Sequence, residues 1–374
     1  MRIRAKANEA NSRRKKDHLD IALNNNLDYD SIATGLDDYR FVHQALPEVD
    51  LATIDLSTSL CGKVLRAPLL VSPMIGGIEE SSRINRNLAR AAQNLGVAMG
   101  VGSQRRAIED PQVAHTYEVR DIAPDILLFA NLGAIQLNYG YGLEECRRAV
   151  DMIGADGLIL HLNPLQEALQ EEGETNFAGI LERISSICHG IGVPVIVKEV
   201  GYGISEDAAR QLTEAGVAGI DVAGAGGTTW SEMEKHRANS HKAEGIASAF
   251  GSWGIPTAES IQMSRRGSAS QLLVASGGIR NGVDAAKAIA LGADVAGMAM
   301  PLLKAANNSA EEATALLEHV IEELRICMFC IGASDISTLK DSPFLKRRPG
   351  HAGSMMTAGP SADTGETSAL ETLI

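Results

Sequence analysis

Four times along this chain a helical stretch ends in a glycine that leads straight into a strand-like run. The segments are Leu95-Gly96-Val97-Ala98, Ile153-Gly154-Ala155-Asp156, Ala215-Gly216-Val217-Ala218 and Leu291-Gly292-Ala293-Asp294. Glycine suits the left-handed position just past a helix end, so this punctuation marks one supersecondary unit reused. Eight short apolar or β-branched runs fit such units: Ala67–Met74, Val97–Ser103, Ile126–Gly133, Gly157–Asn163, Val193–Gly201, Gly219–Gly224, Leu272–Gly278 and Ala293–Pro301. Amphipathic stretches long enough for helices lie between them. Strands alternating with helices predict an α/β chain with a parallel sheet, and eight units in roughly 300 residues match a (β/α)8 TIM barrel. A doubly wound open sheet competes, but it usually needs fewer strands, and no GxGxxG follows the first run.

Of 374 residues, 45% are hydrophobic and 22% charged, which fits a globular chain. No run of about 18 apolar residues exists to span a membrane. The basic N-terminus lacks the apolar core of a secretory signal. The net charge of −13 disfavours nucleic acid as a partner. Five cysteines at irregular spacing argue for a reducing, cytoplasmic compartment. Cys327-Met328-Phe329-Cys330 is a lone CxxC without a second pair for zinc, and packing is its simpler reading.

The ends differ from the middle. We expect an N-terminal arm and cap over residues 1–66, a barrel over 67–345, and a disordered Gly/Ser/Thr/Ala-rich tail over 346–374. Residues 1–16 carry seven basic side chains against Glu9 alone, a charge of +6 that leaves −19 to the rest. This is a solvated tail or an arm that closes over an anion. Two connections are long, the acidic 164–177 and 225–256. In barrels such loops carry function, although packing of a lid accounts for Trp230 and Trp253.

Catalytic groups of a barrel sit where its strands end. Here those ends are polar or glycine-rich. Gly277-Gly278, Gly226-Gly227-Thr228 and the end of the eighth strand fit a phosphate cradle built from backbone N–H groups and a following helix N-terminus. Tight turns alone are the plainer reading. Lys198 ends the run Val195-Ile196-Val197 and should face the mouth, where a bare ammonium is costly. It has three options: pairing with Glu199, Schiff-base chemistry at a depressed pKa, or stabilising negative charge on a cofactor ring. His161, Asn163, Gln166 and Glu167 form the densest polar cluster. They suit a diphosphate with a divalent cation on Glu167, while a satisfied core histidine and a solvent-exposed glutamate remain the simpler alternatives.

Taken in order, Arg14-Lys15-Lys16-Asp17-His18, Met74-Ile75-Gly76-Gly77, Gly102-Ser103-Gln104-Arg105, Ala130-Asn131-Leu132-Gly133, His161-Leu162-Asn163-Pro164-Leu165-Gln166-Glu167, Val197-Lys198-Glu199-Val200-Gly201, Gly226-Gly227-Thr228 and Ser276-Gly277-Gly278-Ile279-Arg280 resemble the type 2, FMN-dependent isopentenyl-diphosphate isomerases. The resemblance runs from about Arg14 to about Lys340. Each motif alone is weak; together in this order they are specific. The resemblance implies interconversion of isopentenyl and dimethylallyl diphosphate, a 1,3 shift of a double bond with reduced FMN as acid and base. It also implies Mg2+, NADPH as reductant, and a homotetramer or homo-octamer.

FMN would fall to Met74, Ile75, Gly76, Ser103, Asn131, Lys198, Thr228, Gly277, Gly278, Arg280, Ala299 and Met300. Substrate would fall to Arg14, Lys15, Ser103, Gln104, Arg105, His161, Asn163 and Gln166, and metal to Glu167. Gln166, His161 and Lys198 would be catalytic. The family often has Thr where this chain has Ile75, so a hydroxyl contact is lost there. Another FMN barrel enzyme, such as a 2-hydroxy-acid oxidase, would share the cradle and the lysine but needs a His base and an Arg pair at later strands. An IMP-dehydrogenase-like barrel needs a Cys that residues 224–256 lack. A non-catalytic flavin-binding protein would not need polar groups at every strand end.

Overall fold

Alternation along the eight runs sets the architecture, because successive strand residues point to opposite faces. The structure, a computed structural model, describes residues 2–29, 31–269 and 271–349, with side chains from residue 13 onward. Strands β1 (Leu69–Val71), β2 (Ala98–Gly100), β3 (Leu128–Gly133), β4 (Gly157–Leu162), β5 (Val195–Glu199), β6 (Gly219–Asp221), β7 (Leu272–Ala275) and β8 (Val295–Met298) each lie within an expected run. They pair in parallel in chain order. The barrel closes through β8 on β1, with Gly297 opposite Leu70 and Met298 opposite Val71.

The barrel interior begins with an apolar layer. Leu70, Ala98, Phe129, Ile159, Ile196, Val274 and Val295 form one buried cluster, one residue per strand. On β6 the matching position is Gly219, where a Cβ would stand 2.8 Å from Ile196 Cδ1. A short hairpin, Thr58–Leu60 with Lys63–Leu65, adds Leu60 and Leu65 to this cluster. Burying each such leucine contributes about 1.5–3 kcal/mol. Alternate strand residues pack outward into the larger cluster that holds the helices. The four punctuating glycines take the left-handed φ they were expected to supply: 65° at Gly96, 57° at Gly154, 89° at Gly216 and 122° at Gly292.

The N-terminal arm is a helix, Arg2–Asn24, and its Leu19 and Ala22 line the barrel mouth. The His18 ring meets Trp230 edge to face at 5.2 Å. A strap follows: the N–H of Thr229 donates to Leu27 O (2.8 Å), and the N–H of Tyr29 donates to Gly227 O (3.1 Å). Tyr39–Phe41 pairs antiparallel with Leu345–Arg347, so residues on both sides of the expected 345/346 boundary share one small sheet. Most of the expected tail, residues 350–374, lies outside the described residues. Among the described residues no helix is long and apolar enough to cross a membrane. All five cysteines are free, Cys327 in the last turn of the helix Ala310–Phe329 and Cys330 just past it.

Candidate active site

Two residues beyond the apolar layer, the same inward faces turn polar. Asn131, His161, Lys198 and Asp221 follow Phe129, Ile159, Ile196 and Gly219, and Ser72 and Ser276 follow Leu70 and Val274. Gly100 and Gly297 complete the ring. A Cβ on Gly297 would stand 2.7 Å from Ser72 Oγ and 2.8 Å from Ser276 Cβ, so glycine keeps this floor open. A period of two thus places a polar floor on an apolar plug.

Lys198 pairs with Asp221 and not with the Glu199 carboxylate. Lys198 Nζ lies 3.3 Å from Asp221 Oδ2 and donates to Glu199 O (2.9 Å) and Ser276 Oγ (3.4 Å). Ser276 Oγ in turn donates to Asp221 Oδ1 (2.6 Å). A buried ion pair needs such extra bonds to offset desolvation. The Glu199 carboxylate instead accepts from the N–H groups of Val200, Gly201 and Tyr202 at 2.6–2.7 Å, while burial pushes it up to about 7.

His161 Nδ1 lies 2.8 Å from Asn131 Oδ1, an acceptor that fixes the proton on Nδ1 and leaves Nε2 without it. Burial, then the charges of Lys198 and Lys15, pull His161 down to about 4, so the ring is neutral at pH 7. Pro164 opens a six-residue helix that presents Gln166 and Glu167, both buried. Asn163 Nδ2 donates to Gln166 Oε1 (3.1 Å) and Glu167 Oε1 (2.9 Å), and the N–H of Glu174 donates to Glu167 Oε2 (2.7 Å).

The arm closes the mouth. Lys15 Nζ donates to Gly76 O (2.6 Å), Ser103 O (3.1 Å) and Tyr117 Oη (3.0 Å). Burial, then Arg14 and Arg106, bring Lys15 down to about 7. Glycine is required at Gly76, where a Cβ would lie 1.9 Å from the Tyr117 ring. Arg14 reaches Gln170 Oε1 (3.3 Å). Arg105 is held bidentately by Glu174 (2.8 and 2.9 Å) and by Glu109 (2.9 Å). At the other side Gly277 and Gly278 take φ of 101° and 74°. The nine-residue helices Gly282–Ala290 and Met300–Asn308 begin beside them, and Arg280 pairs with Asp28 at 2.5 Å. Helix N-termini and exposed amides suit an anion.

One cavity of about 310 Å3 brings together every singled-out site residue except Gln104. Gln104 is a correction. It is fully buried in the barrel wall, Nε2 donating to Ala149 O (2.8 Å) and Oε1 accepting from the N–H of Asn131 (2.9 Å), so its side chain holds β3 and does not line the cavity. Asp221, Tyr117, His18 and Arg106 were not singled out. Of these, Asp221 had a signal, its spacing of two from Gly219 on the inward face.

The residues fit a phosphorylated flavin. Ser72 Oγ and Asn163 Oδ1 are buried on this cavity with no partner among the described residues, and the glycine turn with its helix N-termini stands across it. They also fit a cation brought in with phosphate. No group of three or more His, Cys, Asp or Glu suited to a metal occurs among the described residues, which leaves single carboxylates such as Glu167 to share a metal with a ligand.

A closed barrel with a glycine turn beside two helix N-termini and a buried lysine at its mouth fits the architecture of a flavin barrel protein. The chain matches the model of the FMN-dependent dehydrogenase family over residues 7–117 and 166–346; it belongs to that family and, within it, to the isopentenyl-diphosphate delta-isomerases. Three relatives carry the latter name. That of a Nostoc species is 51% identical over 334 residues, covering 89% of this chain and 95% of the relative. That of a Synechococcus species is 52% identical over 337 residues, covering 90% and 95%. That of Stutzerimonas stutzeri is 51% identical over 334 residues, covering 89% and 96%. A mandelate oxidase variant with (S)-mandelic acid superposes with a TM-score of 0.61 at 19% identity, over 91% of this chain and 97% of that one, and shares the fold alone.

Proposed function

We propose that this chain interconverts isopentenyl and dimethylallyl diphosphate with reduced FMN and Mg2+. The observation that carries this reading is the polar floor: a buried Lys198–Asp221 pair beside a neutral His161 and the Asn163–Gln166–Glu167 cluster, all under a cationic lid. The wall expected of a 2-hydroxy-acid oxidase is missing its Arg pair; Arg280 is the one arginine at the end of β7, and it is bound to Asp28.

FMN phosphate would sit on Gly277, Gly278 and the helix starting at Met300, with Thr228, Arg280 and Ala299 around it. Its ring would meet Met74, Ile75, Gly76, Ser103, Asn131 and Lys198. Ile75 brings no hydroxyl, but its backbone is fixed, since its carbonyl accepts from the N–H of Gly102 (3.1 Å) and Asn85 Nδ2 (3.2 Å). When bound and reduced, FMN supplies protonatable ring nitrogens, the acid and base an unactivated alkene needs.

The chain's own groups do the rest. Lys198 places a positive charge at the floor and Asp221 holds it there. His161, neutral, accepts a hydrogen bond at Nε2. Gln166, on the same cavity, would lie near the reacting carbons. Arg14, Lys15 and Arg105 bind diphosphate oxygens, Arg105 by exchanging part of its hold on Glu174. Glu167 would hold Mg2+ together with those oxygens. The helix Arg2–Asn24 then excludes water.

The reading extends to a reducing, cytoplasmic setting, supported by the five free cysteines, and to a cap over 1–66 on a barrel over 67–345. NADPH as reductant and a homotetramer or homo-octamer rest on the family resemblance. The test is anaerobic incubation with isopentenyl diphosphate, FMN, Mg2+ and NADPH, omitting one component at a time. Product that needs both reduced flavin and Mg2+ supports the reading. Tight FMN binding without turnover would overturn it in favour of a flavin-binding protein.

A further inference from the structure

Arg106 is 6% exposed, yet it lines the cavity. Its Nη2 meets Asp110 Oδ2 at 3.0 Å. Its Nε and Nη1 are buried with no partner among the described residues. Buried donors are almost always satisfied, and leaving them bare costs free energy, so a half-paired guanidinium at a cavity wall calls for an acceptor that arrives with a ligand.

Its surroundings say which kind. A Cβ on Gly77 would stand 2.9 Å from Arg106 Cβ, so the Arg106 stem lies against the loop whose Gly76 carbonyl holds Lys15. Arg14, Lys15, Arg105 and Arg106 all line this cavity. Arg105 is held by two carboxylates and Lys15 by three oxygens, whereas Arg106 has a single carboxylate on one of its three nitrogens. Its charge also helps hold Lys15 below the ordinary lysine value, against the partly offsetting charge of Glu109.

We infer that Arg106 is a further substrate contact, which uses a free guanidinium nitrogen, Nε or Nη1, to bind the second phosphate of a diphosphate and so selects diphosphates over monophosphates. The inference rests on the proposed function for the identity of the ester and on the structure for the anion. Nε and Nη1 lie on opposite edges of the planar guanidinium, with the Asp110-bound Nη2 between those edges, so each offers a separate charged hydrogen bond to a phosphate oxygen.

The test is calorimetric titration of the FMN- and Mg2+-loaded protein with inorganic pyrophosphate and with inorganic phosphate, for wild type, Arg106→Gln, Arg106→Lys and Asp110→Asn. Arg106→Gln should weaken pyrophosphate roughly ten- to a hundredfold, the worth of one charged contact, and phosphate far less. Arg106→Lys should recover part of the loss. Asp110→Asn, which keeps an oxygen to cap the turn at Gln112 but frees Nη2, should bind pyrophosphate at least as well as wild type. Equal pyrophosphate binding by Arg106→Gln and wild type would overturn the inference. So would an equal loss in Arg106→Gln and Asp110→Asn, because the pair would then be a structural staple. Turnover of isopentenyl diphosphate by wild type is measured alongside. Arg106-dependent pyrophosphate binding without turnover would remove the isomerase reading and leave this contact standing.

Discussion

Lys198 Nζ stands 3.3 Å from Asp221 Oδ2, and the two residues are register partners on adjacent strands of the barrel. The distance is therefore set by the sheet, not by flexible loops. Both groups are buried, and Ser276 bridges them. The floor thus holds a paired cation in fixed position at the base of the cavity.

Removing one partner of a buried pair leaves the other uncompensated. Asp221→Asn is expected to cost about 3–5 kcal/mol of stability. Urea unfolding of the two proteins, compared at equal FMN loading, checks this. A loss below about 1 kcal/mol, the scale of an exposed pair, would show that the pair is not dry.

Lys15 should take up a proton when a diphosphate binds. It is brought down to about 7 by burial and cationic neighbours, and a bound anion raises it again. Between pH 7 and about 10, binding should consume up to one proton per site. Calorimetry in two buffers of different ionisation enthalpy measures that number, and Lys15→Met should abolish it.

His161 gives a pH window with a definite sign. Its folded value of about 4 lies below the ordinary 6.5, so the unfolded chain binds more protons between the two. Stability from this residue is complete above 6.5 and is lost as pH falls from 6.5 towards 4, by roughly 3 kcal/mol at most. The pH dependence of unfolding for wild type against His161→Gln isolates it. The difference between the two should flatten above pH 6.5.

Gly277→Ala should cost FMN affinity. The residue has φ of 101°, and an added Cβ would stand 2.2 Å from the Gly224 carbonyl oxygen. Neither a left-handed backbone nor that carbonyl can accept a methyl group without moving the turn. Flavin fluorescence titration is expected to show FMN binding weakened by at least about tenfold, equivalent to ~1.4 kcal/mol.

The barrel was legible because its strands obey a period of two and its helices end in left-handed glycines, both local signals. The strand-end rule then located His161, Asn163, Gln166, Glu167 and Lys198 on one cavity. What was not legible depends on tertiary contact. Gln104 sits between Ser103 and Arg105, which line the cavity, but its side chain turns into the wall to bond Ala149 and Asn131. The first sixteen residues carry seven cations and little apolar surface, so their 3.6-residue periodicity is faint. Docking of His18, Leu19 and Ala22 on the mouth accompanies the helix. Tyr117 lies in no strand end, and its place under Gly76 appears only when β1 and β2 are brought side by side.

The most direct measurement is anaerobic proton NMR of isopentenyl diphosphate in D2O with the FMN-reduced, Mg2+-loaded protein. The account expects dimethylallyl diphosphate to accumulate to equilibrium, with deuterium in its new methyl group. Isopentenyl diphosphate that stays unchanged and unlabelled, with flavin bound and reduced, would contradict it.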